Sequence, residues 1–79
     1  MGAAHGPAVE ARFERLRTLR LDLARAHNWP AYCVLHDATL LEIARCRPTN
    51  MRELSEIEGM GPKRLERFGK ELLTELNKG

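Results

Sequence analysis

The chain has 79 residues, of which 43% are apolar, and its 13 lysines and arginines against 11 aspartates and glutamates give a formal charge of +2. A chain of this length buries one modest core and lacks the material for a deep catalytic cleft with its supporting residues. We therefore expect one small domain without a catalytic site. Because the net charge is small, any binding of nucleic acid must depend on local clustering of cations.

The composition also indicates the cellular compartment and whether a metal site is expected. No apolar run approaches the roughly 20 residues of a membrane-spanning helix, and no secretory signal is visible, so we expect a cytoplasmic protein that does not contact a membrane. Cys33 and Cys46 are then expected to be reduced, small core residues without a disulfide. Together with His27 and His36 they could supply four zinc ligands, but only Cys33 and His36 are closely spaced, so we expect no metal site.

The first helix is predicted over residues 9–27. Residues 1–8 are small, Gly-rich and contain a proline, which is typical of a disordered linker or a cloning remnant. After them Phe13, Leu16, Leu19 and Leu23 fall within one arc of a helical wheel. This arc predicts an amphipathic helix that buries one face.

The next segment, residues 28–36, combines a proline and two aromatic residues with β-favouring side chains but is too short to form a sheet. We expect an ordered, extended loop. Asp37 then has the position of an N-cap for a second helix in which Leu40, Leu41 and Ala44 face inward. Pro48 ends this helix.

A short third helix is predicted after Asn50. Asn50 followed three residues later by Glu53 fits a capping box, in which each residue satisfies a free backbone N–H at the helix start. Met51, Leu54 and Ile57 would be buried by this helix.

The segment Gly59-Met60-Gly61, followed by Pro62, predicts a tight hairpin between two helices. Glycine reaches positive φ without a Cβ penalty, Met60 would be an apolar peg, and proline suits the first position of a helix. The following helix would present free N–H groups and the positive end of its dipole beside Lys63 and Arg64. Such an end attracts phosphate, although the same pattern also fits a helix-turn-helix corner with solvated cations.

Two further helices complete the predicted fold. A fourth helix would cover residues 63–68, Gly69 would allow a break, and a final helix would run through Leu72, Leu73 and Leu76. The sequence thus predicts an all-α domain over residues 9–79, a compact bundle of five short helices with a helix-hairpin-helix-like turn.

Five sequence blocks in this order resemble the HRDC domain, the "helicase and RNase D C-terminal" module, over about residues 10–77. The blocks are Phe13-x-x-Leu16-x-x-Leu19, Pro30-x-Tyr32-x-Val34-Leu35-x-Asp37-x-Thr39-Leu40, Ala44-x-x-x-Pro48, Leu54-x-x-Ile57-x-Gly59-Met60-Gly61 and Leu65-x-x-Phe68-Gly69. The second and last blocks are most similar to those of bacterial RecQ-family DNA helicases. An RNase D-like exonuclease is an alternative parent with the same fold.

The resemblance implies an accessory domain of an ATP-dependent DNA helicase, which tunes the choice of DNA substrate in repair and recombination in the bacterial cytosol or nucleoid. The parent helicase core would bind ATP and magnesium. This domain is expected to bind no cofactor, since it has no Gly-x-x-x-x-Gly-Lys-Ser/Thr phosphate loop.

Two surfaces are candidates for weak contact with single-stranded or branched DNA. The resemblance places Tyr32 where some family members stack a tyrosine on DNA, although Tyr32 could instead pack on the second helix. The second surface is basic, and its cations could bind phosphate or simply be solvated and paired with Glu66 and Glu71. It consists of Lys63, Arg64, Arg67 and Lys70, with Arg47 on a possible rim between the two surfaces.

Three carboxylates favour another partner. Glu53, Glu56 and Glu58 precede the hairpin and make its approach acidic. The alternative function is therefore a protein-interaction module that docks on the helicase core, or on a neighbouring HRDC copy, and changes DNA binding without touching DNA.

Overall fold

A computed structural model describes residues 6–78, which form five α-helices joined by short connections. The helices are α1 (Gly6–His27), α2 (Ala31–Val34), α3 (Asp37–Cys46), α4 (Met51–Ser55) and α5 (Pro62–Asn77). Helix α1 lies against α2, α3 and α5, and α4 packs on α5. Among the described residues there is no strand, so the predicted all-α class with five helices is confirmed.

Helix α1 begins at Gly6, three residues before the predicted start, so residues 6–8 of the predicted linker are helical. The rest of that linker lies outside the described residues. The predicted inner face is confirmed by Leu16 and Leu23, which are buried. The helix ends at His27, and the left-handed backbone of Asn28 (φ 58°) turns the chain so that the Trp29 N–H donates to the Ala24 carbonyl at 2.9 Å.

The segment predicted as an extended loop contains the single-turn helix α2. Its flanks, Pro30 and Leu35, are extended as expected, but the four residues between them are helical. One turn of helix is a weak element by itself, because the cost of fixing its dihedrals is offset by few hydrogen bonds. Tertiary contacts that no local pattern reveals therefore stabilise α2.

The start of α3 differs from the prediction by one residue. The N-cap is His36, which makes no side-chain capping bond, and Asp37 is the first helical residue. The Asp37 carboxylate instead pairs with the Arg20 guanidinium of α1 at 2.7 Å. Leu40 and Ala44 are buried as predicted, and so is Ile43, which the sequence analysis overlooked.

Asn50 caps α4 as predicted. The Asn50 side chain accepts a hydrogen bond from the Glu53 N–H at 2.8 Å. In a capping box the Glu53 carboxylate would accept a hydrogen bond from the Asn50 N–H. Here it accepts hydrogen bonds from the N–H and the hydroxyl of Thr49, one residue earlier. Leu54 is buried, but Met51 is 41% exposed, which corrects the prediction that it joins the core.

The hairpin before α5 depends on one of its two glycines. Gly59 has a φ of +93°, whereas Gly61 has an ordinary φ of −72° and is the N-cap of α5. A Cβ on Gly59 would lie 2.3 Å from Thr39 Oγ1, while a Cβ on Gly61 would meet nothing within 4 Å. Met60 is buried between them, as the predicted peg.

Helix α5 continues without interruption through Gly69, so the predicted break there is wrong. Gly69 is buried within the helix, and a Cβ at this position would lie 2.9 Å from Met51 Cε. The glycine allows α4 to approach α5 closely. Gly69, which the sequence analysis interpreted as a helix break, is therefore a packing residue inside a continuous helix.

The core lies where α1, α3 and α5 meet, and the α2 loop and the hairpin close it. Phe68 of α5 and Leu16 of α1 are completely buried, as are Leu40 of α3 and Leu54 of α4. Every helix except the one-turn α2 contributes one of these four side chains, and α2 contributes Val34. The arrangement fixes the orientation of α2 and α5, which carry the predicted binding residues.

Candidate nucleic-acid interface

Tyr32 projects from α2 into solvent. Its side chain is 64% exposed, and its ring centroid lies 6.4 Å from that of His36. A tyrosine packed on the following helix, the alternative considered from the sequence, would be buried. The exposed ring is therefore free to stack on a flat partner.

Two arginines from different helices hold α2 in place. Arg64 of α5 donates from Nε to the Val34 carbonyl at 2.9 Å and from Nη2 to the Cys33 carbonyl at 3.3 Å. Arg20 of α1 donates from Nη1 to the Leu35 carbonyl at 2.9 Å. The last carbonyls of a helix have no partners within it, so the two guanidinium groups satisfy the end of α2 and lock it between α1 and α5.

Arg64 was predicted to bind phosphate, but in the structure its guanidinium is half-buried and bonded to backbone. Arg20 was not considered in the sequence analysis. Its side chain is only 11% exposed, and its Nε is buried without a hydrogen-bond partner among the described residues. Only the spacing of polar side chains on the buried face of α1 could have drawn attention to it.

Trp29, which precedes α2 in the sequence, packs against the core. Its ring makes an edge-to-face contact with Phe68 at 5.8 Å between centroids, and His27 contacts Phe68 at 5.1 Å. The guanidinium of Arg67 lies over the indole ring, with its Cζ 5.2 Å from the ring centroid. Such a cation–π contact positions a flexible cation without neutralising it.

Lys63, Arg67 and Lys70 form the basic row of α5, and all three are exposed. Their spacing of four and three residues places them on one side of the helix. In residues 6–78, no ion pair within 4 Å joins this row to Glu66 or Glu71. Charge pairing with these neighbours, the alternative considered from the sequence, is not seen.

Arg64 brings Tyr32 and the basic row together. Because it bonds the carbonyl of Cys33, the residue after Tyr32, the start of α5 lies beside α2. Arg64 thus links the elements that carry the two predicted surfaces, and we name Tyr32, Lys63, Arg67 and Lys70 together the aromatic–basic face.

Arg47 does not belong to this face. It lines a depression with Leu76, near the C-terminal end of α5. Leu76 and Lys63 lie at opposite ends of this helix, so at 1.5 Å per residue they are about 20 Å apart. The structure does not place Arg47 between the two predicted surfaces.

The sequence matches the HRDC domain family over residues 9–76. The chain belongs to the HRDC domain family. The recognised sequence blocks thus correspond to the helices described above, and the family assignment made from them is confirmed.

Curated relatives of this HRDC domain are bacterial DNA helicases. It is 49% identical over 57 residues to the ATP-dependent DNA helicase RecQ of Haemophilus influenzae, a match that covers 72% of this chain and 9% of the relative. Identity to the RecQ of Pasteurella multocida is 48% over 56 residues, covering 71% and 9%. Identity to the ATP-dependent DNA helicase UvrD2 of Mycobacterium tuberculosis is 41% over 59 residues, covering 75% and 8%.

The matched region of this HRDC domain spans about a tenth of the length of these relatives. No solved structure matches it significantly. Among the described helices, none is long and apolar enough to cross a membrane.

The HRDC domain also has an acidic groove of about 940 Å³ between α3 and the α4–α5 connection. Four carboxylates line it, including Glu42, which the sequence analysis did not single out. They are Glu42, Glu53, Glu56 and Glu58. Of the described residues, neither a lysine nor an arginine lines this groove, so its field favours cations.

Two groups in the groove titrate away from their ordinary values. The Cys46 thiol donates to Glu42 at 3.2 Å, and this bond, then burial and the nearby negative charge, raises the pKa of Cys46. Hydrogen bonds from the N–H and the hydroxyl of Thr49 lower the pKa of Glu53. The cysteine is thus kept as a thiol, and it is exposed, which corrects the expectation that it is a core residue.

Both cysteines are free, and among the described residues no group of three or more His, Cys, Asp or Glu side chains is placed to hold a metal ion.

Proposed function

We propose that this HRDC domain is the accessory domain of a RecQ-type ATP-dependent DNA helicase and binds single-stranded or branched DNA weakly through the aromatic–basic face. One observation carries the proposal: Tyr32 is 64% exposed and is tied by Arg64 to the start of the helix that carries Lys63, Arg67 and Lys70. The names of the relatives, which are DNA helicases, support the choice of parent.

Each part of the face has a separate role in this proposal. The Tyr32 ring stacks on a base, a contact worth roughly 1 to 3 kcal/mol that every base can make. The basic row contacts phosphates, which fixes the strand but reads no sequence. Binding is consequently independent of sequence and falls with added salt.

The domain is non-catalytic in this proposal. ATP and magnesium bind to the helicase core of the parent, and the HRDC domain holds DNA so that the helicase selects its substrates during repair and recombination. The parent protein acts in the bacterial cytosol or on the nucleoid. With a formal charge of only +2, the domain alone binds weakly.

The acidic groove favours a second candidate function. Its four glutamates fit a basic surface of the helicase core, or of another HRDC copy, better than they fit DNA. In that case the domain changes DNA binding by docking on protein and does not contact DNA itself.

Fluorescence anisotropy with labelled single-stranded and forked DNA, at low and at physiological salt, separates the two functions. The variants are Tyr32→Ala and Lys63→Ala. Arg45→Ala is the matched control, because it also removes one exposed cation but from the side chain that pairs with Glu42 of the acidic groove.

The DNA-binding proposal predicts salt-sensitive binding that both face variants weaken and the control does not. If the wild-type domain binds neither DNA at low salt, direct DNA contact is wrong and the docking function replaces it. Equal losses in Lys63→Ala and Arg45→Ala would mean that only overall charge matters, which also contradicts a specific face.

A further inference from the structure

A second cluster of cations lies at the end of the molecule opposite Lys63. It surrounds a depression of about 170 Å³ between α1, the end of α3 and the end of α5. The lining residues are Ala8, Ala11, Arg12, Arg15, Arg47 and Leu76. Three of these six side chains carry a guanidinium group.

The α1 residues of the depression form a regular row. Ala11, Arg12 and Arg15 follow Ala8 by three, four and seven residues, which places all four on one face of the helix. The two alanines leave open space, and the arginines border it. The lining therefore combines small apolar side chains with cations.

Two of the guanidinium groups are positioned by the protein. Arg12 donates from Nη1 to the Ala44 carbonyl of α3 in a half-buried hydrogen bond, and Arg15 Nε lies 3.5 Å from Glu75. Each arginine has five N–H donors. After these contacts most donors of both groups remain available to an anion.

Arg47 is held in an unusual conformation. It follows α3 with φ 47° and ψ 64°, the left-handed region, where its N–H donates to the Ile43 carbonyl at 2.8 Å. Glycine or asparagine is favoured at such a position, because other side chains meet a steric penalty in the left-handed region. Within residues 6–78 no carboxylate pairs with its side chain inside 4 Å. Three positive charges thus line the depression, and within residues 6–78 the only carboxylate paired with any of them inside 4 Å is that of Glu75.

We infer that this depression is an anion site that binds a backbone phosphate of DNA. The planar guanidinium fork matches phosphate oxygens, and three arginines around a small recess suit one phosphate group better than an extended partner. The inference rests on the proposed function. It adds a second contact about 20 Å along α5 from Lys63, which only a strand long enough to pass around the domain reaches together with the aromatic–basic face.

Arg47→Gly is the decisive variant, because glycine relieves the left-handed backbone while removing the cation. It should unfold at the same temperature as wild type or higher, so weaker binding cannot be attributed to misfolding. Arg45→Ala, two residues earlier on α3, removes the same charge outside the depression and is the control. Tyr32→Ala reports separately on the aromatic–basic face.

Binding is measured against single-stranded oligonucleotides of about 4 and about 16 nucleotides, the limits of the site sizes known for single OB-fold domains. Arg47→Gly should weaken binding of the longer strand several-fold and lower its salt slope by about 0.7, the value for one phosphate contact on a single strand. The shorter strand, which cannot reach both ends, should lose less. Arg45→Ala should change neither.

The outcomes separate this inference from the proposed function. Unchanged binding by Arg47→Gly together with a loss by Tyr32→Ala overturns the anion site and leaves the aromatic–basic face intact. A loss by Arg47→Gly with none by Tyr32→Ala overturns the aromatic–basic face and leaves the anion site.

An NMR titration with inorganic phosphate distinguishes the source of the anion. In the wild-type domain, inorganic phosphate should cause saturating chemical-shift changes of the Ala11 and Arg47 amides, and the long oligonucleotide should cause the same changes. In Arg47→Gly, the change at the Ala11 amide should be absent. If inorganic phosphate produces these shifts and the oligonucleotide does not, the site binds a free anion and the assignment to DNA is wrong.

Discussion

Arg64 and Val34 are joined by a 2.9 Å hydrogen bond from the guanidinium Nε to the main-chain carbonyl, which ties the start of α5 to the end of α2. A residue that the sequence places among the phosphate-binding cations is thereby assigned a positioning role. Its charge satisfies backbone carbonyls, and through them it sets where the Tyr32 ring projects.

This relationship makes Arg64→Ala and Lys63→Ala differ in their response to salt. Both should weaken binding of single-stranded DNA under the proposed function. Lys63→Ala should also lower the slope of log affinity against log salt by about 0.7, because one phosphate contact is lost, whereas Arg64→Ala should leave the slope unchanged. Anisotropy titrations at several salt concentrations measure both slopes. A lowered slope for Arg64→Ala would show that its guanidinium reaches phosphate after all.

The second prediction concerns the two hairpin glycines. Gly59→Ala should lower the free energy of unfolding by about 2 to 4 kcal/mol, because it adds left-handed strain and a clash with Thr39 Oγ1. The matched control Gly61→Ala has normal φ and open space, so it should cost no more than about 1 kcal/mol, the loss expected when alanine replaces glycine at an N-cap. Urea denaturation of the two variants measures both effects.

Thr39→Ala tests the origin of the Gly59 effect. Added to Gly59→Ala, it should recover part of the lost stability by removing the clashing oxygen, while the backbone strain remains. Equal destabilisation by Gly59→Ala and Gly61→Ala would contradict the distinction that the structure draws between them.

The third prediction concerns Gly69 inside α5. Alanine is favoured over glycine in a helix by about 0.8 to 1.0 kcal/mol, but a Cβ here would lie 2.9 Å from Met51 Cε. The Met51 side chain is exposed and flexible, so it should move, and Gly69→Ala alone should change stability by less than about 1 kcal/mol. In a Met51→Ala background the same substitution should stabilise the domain by about the full helix preference. Losses above about 2 kcal/mol in both backgrounds would mean that Gly69 is required for another contact.

The fourth prediction is a pH dependence that originates at Glu53. The bonds from Thr49 lower its pKa in the folded state, so its contribution to stability is present above the unfolded value, about 4.3, and is lost as pH falls through the folded value. Glu53→Gln should therefore lower the melting temperature at neutral pH, and the gap from wild type should close in acid. Melting curves across this range measure the gap.

Thr49→Ala is the control for this effect. It removes the hydroxyl bond but keeps the N–H bond to Glu53. In a Thr49→Ala background, the loss of melting temperature caused by Glu53→Gln should therefore be smaller without vanishing. A loss that stays constant with pH would assign the effect to packing and not to ionisation.

The sequence predicted the features that depend on short-range interactions. Asn50 caps α4 because its partner, Glu53, is three residues away in the same turn, and the buried face of α1 follows from the spacing of Leu16 and Leu23. The five ordered blocks also identified the HRDC domain, since each block specifies a packing position. Tyr32 was selected from the same blocks, and the structure exposes it.

The tertiary structure decided which polar groups meet. Arg20 and Arg64 bond carbonyls 15 and 30 residues away along the chain, which stabilises a one-turn helix where the sequence indicated an extended loop. Arg47 lies about 20 Å along α5 from Lys63 although both had been assigned to DNA contact. A guanidinium group can donate to a backbone carbonyl, a carboxylate or a phosphate, so its role depends on which of them the packed helices bring within reach.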